Sequence, residues 1–193
     1  MRPVSPPPPA QGGLDRIAAE AGAHRGPPPV HLWNPASCGE IDIVITRSGE
    51  WRHEKTPIGR EALVRLFASI LRRDEDGYYL VTPVEKMKIV VEDAPFLAVR
   101  VDREGEALVF LTNVGDRVEA GPDHQLRVEI DPETEEPRPY LHVRRGLEAR
   151  LTRAVFYELV ELAQWRPTPD GEVLGVMSNG VWFPLGLSQA VAS

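Results

Sequence analysis

The chain of 193 residues contains a single cysteine, Cys38, so no intramolecular disulfide can form and no cysteine cluster can hold zinc. Lysine is nearly missing as well: it stands only at positions 55, 86 and 88, and every other basic residue is arginine. Acidic residues outnumber basic ones by 29 to 22, a net charge of −7. Duplex binding needs a surplus of cations to displace counterions from phosphates, so no nucleic-acid partner is expected. No run reaches the roughly 18 apolar residues of a membrane span. The opening "MRPVSPPPPAQGG" lacks the apolar stretch of a secretory signal. No membrane partner is expected, and the expected setting is the cytoplasm.

The familiar chemical signatures are also missing. Neither GxxxxGK[ST] nor GxGxxG occurs, so no phosphate-cradling loop and no cofactor is expected. The histidines at 24, 31, 53, 124 and 142 show no i, i+4 pair and no HExxH pattern, and no metal site is expected. Ser37 has no Gly-x-Ser-x-Gly context. No catalytic residue is assigned.

What is present is a core-forming chain, 42% hydrophobic and 26% charged. Residues 1–40 read as a proline-rich arm with one short helix, "LDRIAAEAG", stopped by Gly22. "HRGPPPVHLWNP" (24–35) must be extended, because its prolines lack the N–H that helix or ladder would use. "IDIVIT" (41–46) alternates in the manner of a strand, and "EWRHE" can return beside it across the "SG" turn. "TPIGREALVRLFASILRR" carries one apolar stripe, Leu63, Leu66, Phe67, Ile70 and Leu71, and predicts a helix closed by "DEDG". "YYLVT", "KMKIVVE", "FLAVRVD" and "ALVFLTN" predict an antiparallel meander. "LRVEI" and "YLHV" extend the β pattern across the acidic loop "DPETEEP". "TRAVFYELVELAQW" predicts a second helix capped by Thr152, and Asn179-Gly180 a type I′ hairpin between "EVLGVM" and "VWFPL".

The two helices invite superposition. With Arg60 set against Arg153, Leu63 meets Phe156, Leu66 meets Leu159 and Phe67 meets Val160. "DEDGYYLV" then falls within one residue of "PTPDGEVL". The expected fold is α+β: two related β-hairpin/helix/β-hairpin units, 41–113 and 114–193, with a mostly antiparallel meander between them. Such a duplication would leave a cleft or a shared sheet between the units, and a cleft is a favoured place for ligands. "EKMKIVVEDAP" followed by "NVGDRVEAG" also resembles pieces of a biotin- or lipoyl-carrier domain. Lys88 has no turn residue beside it, however, and reads as part of an ordinary half-exposed strand.

"CGEIDIVITRSGEW", "PIGREALVRLF", "DGYYLVTPVEK", "VEDAPF", "TNVGD", "YLHVRRGLEA" and "FYELVEL", in that order, resemble the bacterial domain-of-unknown-function family 1285 over about Pro28 to Leu185. Ile43, where methionine would be expected, is a conservative departure. The resemblance implies a compact α+β protein of two related halves. It implies no catalytic residue, and a regulatory or ligand-binding role.

The function expected on these grounds is a non-enzymatic small-ligand or protein-binding regulatory module in bacterial signalling. Its candidate ligand-binding residues are Arg60, Thr82, Glu85, Lys86, Asn113 and Arg153. Arginines at two helix starts favour a small anionic ligand, with a protein partner as the other possibility. The alternative is a hydrolase or transferase whose site forms only in three dimensions, from Cys38 or His53 with Glu85 or Asp93. A third class is an assembly subunit, pairing through the proline-rich arm or the strand at "VWFPL", and the oligomeric state stays open.

Overall fold

The computed structural model describes residues 11–22, 28–169 and 171–189. Most of the proline-rich tail (1–10), residues 23–27, Asp170 and residues 190–193 lie outside them. The fold is mixed α+β and divides into two compact units. The first comprises Met1–Val44 with Trp51–Val90, the second Ile45–Glu50 with Val91–Ser193. The dividing point after Val90 replaces the expected one after Asn113. The cause is pairing: the strands on both sides of residue 104 belong to the second unit's sheet.

The first unit runs α1 (Gln11–Gly22), a 3-10 turn (Val30–Leu32), β1 (Ser37–Ile45), β2 (Trp51–His53), β3 (Thr56–Pro57), α2 (Glu61–Ser69), β4 (Leu71–Asp74), β5 (Gly77–Val81) and β6 (Glu85–Val91). Its strands form one six-stranded sheet in the order β3-β2-β1-β6-β5-β4. The arm is not extended throughout. Pro28 and Pro29 offer their carbonyls to Val30 and Leu32 N–H at 2.9 Å each, which winds the 3-10 turn. Prolines accept there without having to donate.

The helix expected to reach Arg73 ends at Ser69. Leu71–Asp74 instead form β4, pairing antiparallel with β5 from Leu71↔Leu80 to Asp74↔Gly77. Ile70 and Leu71 are buried in either conformation, so the apolar stripe could not mark the boundary. Gly77, at φ 147°, closes the tight turn that draws the residues before it into a hairpin. Lys88 lies mid-strand in β6, opposite Tyr79.

The second unit adds β7 (Phe96–Glu104), β8 (Ala107–Thr112), β9 (Arg117–Glu119), β10 (Leu126–Ile130), β11 (Pro137–Arg144), β12 (Leu147–Leu151), α3 (Arg153–Leu162), β13 (Gln164–Thr168), β14 (Gly171–Ser178) and β15 (Val181–Gln189). The expected meander divides between two sheets: β5 and β6 stay in the first, while β7 and β8 enter the second. Pro95 stands at the break and has no N–H to continue a ladder. The second unit's six-stranded sheet has the order β10-β11-β12-β7-β8-β9, with one parallel join where Ala149, Arg150 and Leu151 face Phe96, Leu97 and Ala98. Thr152 caps α3, its hydroxyl accepting from Val155 N–H at 3.4 Å. The three-stranded sheet β13-β14-β15 packs with α3 on the larger one, where β14 meets β8 and β15 lies beside β10 and β11. The "VWFPL" strand is the terminal strand of this sheet, paired with β14. Asn179 and Gly180 sit at φ 47° and 76°, the left-handed pair a type I′ turn requires.

One buried hydroxyl joins the two sheets of this unit. Ser178, fully buried, accepts from Leu108 N–H at 2.8 Å and donates to the Ala120 carbonyl at 2.7 Å. Asn179 Nδ2 also donates to that carbonyl, at 3.0 Å, so Ser178→Ala orphans chiefly the Leu108 amide. The expected loss is about 1–3 kcal/mol, read as a lowered denaturant midpoint at unchanged slope.

Candidate functional site

Three of the six candidate residues stand on one stretch of the first unit. Thr82 N–H donates to the Glu85 carbonyl at 2.9 Å across a turn whose second residue is Pro83, with its fixed φ. The Thr82 hydroxyl oxygen accepts from Glu85 N–H at 3.1 Å and Val84 N–H at 3.4 Å. Thr82 and Glu85 are both buried. An ionised carboxylate in that position requires a counter-charge.

The cover is α1. Arg16 donates from Nε to Glu85 Oε1 at 3.2 Å and from Nη2 to Oε2 at 2.5 Å, a fork-to-fork pairing. The Thr82 hydroxyl donates to Glu20 Oε2 at 2.8 Å. Arg16 and Glu20 are four residues apart and so share a helix face; Ile17 and Ala21, one step round, supply the buried apolar contact against the body, where α1 meets α2. Exposure is lopsided: the Arg16 side chain is 61% exposed and that of Glu85 only 5%. The acceptor is built into the domain, and the donor is laid over it.

Lys86 turns to the other face of β6. Its Nζ lies 2.5 Å from Asp74 Oδ2 and 3.8 Å from the centroid of the Tyr79 ring. Arg72 grips the same Asp74 at 2.8 and 3.0 Å. Its remaining nitrogen donates to the carbonyls of Val30 at 3.0 Å and Trp33 at 2.7 Å. Burial pushes the Asp74 carboxyl up, but the hydrogen bonds and charges of Arg72 and Lys86 outweigh it and hold the group below its ordinary value. Lys86 thus belongs to the anchor of the arm.

The other three candidates are not part of this arrangement. Arg60 is exposed and serves α2 through its backbone carbonyl, which accepts from Leu63 N–H at 3.0 Å and Val64 N–H at 3.1 Å. Arg60 occupies the cap of α2, whereas Arg153 is the first turn of α3, behind its cap Thr152, so the two arginines are not equivalent. Arg153 donates to Tyr157 Oη at 3.0 Å along its own helix. Asn113, in the second unit, accepts from Leu97 N–H at 2.9 Å and donates to the Gly49 carbonyl at 3.3 Å. Gly49 has φ 78° and a Cβ there would sit 2.8 Å from Leu97 Cδ1, so Asn113 serves a tight backbone approach.

The carboxylates named for a hydrolytic alternative are both engaged. Glu85 is held by Arg16. Asp93 accepts from Tyr140 Oη at 2.8 Å and from Arg150 Nη1 at 3.0 Å. Cys38 is exposed on β1. Tyr140 in turn carries Arg127 over its ring at 4.5 Å, and Arg127 is forked onto Glu148 with two bonds of 2.7 Å. His124 stacks on His142 with centroids 5.8 Å apart, and His142 Nε2 accepts from Gly146 N–H at 3.2 Å, which places its proton on Nδ1 toward the Asp123 carbonyl.

The sequence analysis names Thr82 and Glu85 but not the α1 residues that meet them, Arg16, which donates to Glu85, and Glu20, which accepts from Thr82. The signal was there: Arg16/Glu20 and Ile17/Ala21 are both i, i+4 pairs on a segment already read as helical.

Comparison with known proteins agrees with this division. Residues 28–94 match the family described as "Domain of unknown function (DUF1285), N-terminal domain", and residues 95–185 match "Protein of unknown function (DUF1285), C-terminal domain". The chain is similar to a DUF1285 family protein of Silicibacter pomeroyi DSS-3 solved by crystallography, with 50% identity, coverage of 88% of this chain and 93% of that one, and a TM-score of 0.78. A second crystal structure, of a DUF1285 family protein from Shewanella baltica OS155, is 32% identical over 62% of this chain and 90% of that one, with a TM-score of 0.50. No curated protein matches.

Two phenols record how these networks are built. Tyr79 is pushed up to about 12, first by its hydrogen bond to Asp76 and then by burial. Tyr140 is pushed up to about 12, first by burial and then by its bond to Asp93. Unfolded tyrosines ionise near pH 10. A folded value raised above the unfolded one means that the stability these groups contribute is complete below about pH 10 and is lost as pH rises toward about 12. Ultraviolet titration should show two late phenols. Asp76→Ala should lower the midpoint of Tyr79 more than Asp93→Ala lowers that of Tyr140, because a hydrogen bond leads in the first case and burial in the second.

Proposed function

Since the chain belongs to the DUF1285 family, described as a domain of unknown function, we propose that it is a non-enzymatic binding module with a regulatory role, and that its recognition surface is the Thr82–Glu85 turn of the first unit. The observation that carries this reading is the buried Glu85 carboxylate, paired with an arginine that lies outside the matched domain, since the match begins at residue 28. A socket of this kind takes a guanidinium or an amine, in fork geometry with the guanidinium favoured. Its occupant is therefore cationic at the point of contact, and a protein segment fits better than a small anion. The setting we propose is bacterial signalling in the cytoplasm, where the exposed free thiol of Cys38 would stay reduced.

The test uses the full chain with Arg16→Ala, which vacates the socket. N-acetyl-arginine amide should then shift the backbone amide signals of Thr82, Val84 and Glu85 in nitrogen–proton NMR spectra, saturably and in the millimolar range. Glu85→Gln in the same background should abolish those shifts. Saturable shifts that survive Glu85→Gln, or no shifts at all in a folded Arg16→Ala chain, would remove the reading.

A further inference from the structure

Among its described residues, α1 meets the body through a small apolar face and two polar side chains. It is 12 residues long, the length at which an isolated helix is marginal in water, so its order depends on docking. Only Ile17 and Ala21 are buried among its described side chains, and the polar link to the body runs through Arg16 and Glu20. Glycines stand near both of its ends, at 12, 13 and 22. The segment that follows, 23–29, reads AHRGPPP, three of whose residues are prolines without the N–H that a helix would use. The cover is also incomplete, because Val84, on the turn that receives Arg16, remains 56% exposed.

We infer that the surface beneath α1 is a docking site for an amphipathic helix of a partner protein, and that α1 is the intrachain competitor that closes it. This rests on the reading of the Thr82–Glu85 turn as the recognition surface. Charge complementarity sets the chemistry of the partner. It presents an arginine to Glu85, an aliphatic side chain one residue later where Ile17 sits, a hydrogen-bond acceptor four residues after the arginine for the Thr82 hydroxyl, and a small residue next to that acceptor where Ala21 sits. An aliphatic side chain that α1 does not supply would cover Val84. Helix-in-groove recognition of this kind reads i and i+4 anchors on one face. A ligand that must displace a resident segment sees its apparent affinity reduced by the fraction of molecules in which the site is open.

The full chain carrying Ile17→Asp removes the apolar anchor of α1 and keeps the socket. A peptide with the sequence of Gln11–Gly22, blocked at both ends, is the probe, and NMR is the readout. In this variant the α1 amides should move to random-coil positions while those of β4, β5 and β6 hold. The peptide should bind it about tenfold or more tightly than it binds the unaltered chain. A peptide with Arg16→Glu should lose binding, and Glu85→Arg placed in the Ile17→Asp chain should restore it. If Ile17→Asp does not fold, Arg16→Glu in the full chain opens the same site and is paired with the Glu85→Arg chain as acceptor of the altered helix. Equal binding to the closed and opened chains would overturn the competitor. No peptide binding to an opened chain that still responds to N-acetyl-arginine amide would overturn the helix inference and leave the socket standing, and no response to either would remove both. A dimer in the unaltered chain that dissolves in Ile17→Asp would assign the occupant to a second copy and overturn the intrachain arrangement.

Discussion

A carboxylate at 5% exposure does not stay charged without company, and the way Glu85 meets that demand organises the first unit. The neighbouring strands offer it little: Lys86, next in sequence, points to the opposite face and is taken by Asp74. The counter-charge comes from 69 residues away, on a helix that would be poorly formed alone. Fold and charge balance thus depend on each other. The helix is ordered because it neutralises a buried acid, and the acid is tolerated because the helix is there.

The two halves share an order of elements and differ in how they close. α2 is followed by β4, β5 and β6, and α3 by β13, β14 and β15. Each helix gives way to a strand within one or two residues, and the next strand begins at a glycine with positive φ, Gly77 at 147° and Gly171 at 133°. In the first unit the three strands continue into β1 and a single sheet results; in the second they stand apart as their own sheet. Local packing fits that separation. A Cβ on Gly175 would fall 2.4 Å from the Trp182 ring, so the indole lies directly against the glycine backbone, and the Arg166 guanidinium carbon stands 4.1 Å from the ring centroid.

How much of this was readable follows from the range of the forces involved. Strands β1, β2, β5–β8, β10, β11, β14 and β15 could be read because alternation and turn residues are local. The Gly22 end of α1 and the Thr152 cap of α3 could also be read, but the C-terminal end of α2 could not, because Ile70 and Leu71, buried beyond it, continue its apolar stripe. β12 was legible and was overlooked: Arg145-Gly146, at φ 45° and 75°, makes a tight turn before the alternating Leu147, Ala149 and Leu151. Thr82 and Glu85 stood out as polar residues between apolar strands. What covers them is a long-range contact, and no local pattern states which distant segment will dock. Arg60 and Arg153 show the converse hazard, since matching positions in an alignment proved to be a cap and a first turn.

Arg72 clamps the chain at Val30 and Trp33, and this has a kinetic meaning for the segment upstream. From Gly22 to Val30 there are eight steps, which covalent geometry limits to a span of roughly 27 Å. The Gly22 end of an undocked helix stays within that radius, so the helix's local concentration at its own seat is on the order of millimolar or above. Any rival must arrive at a comparable activity or grip harder, and once it leaves, the seat is retaken without a search through bulk solution.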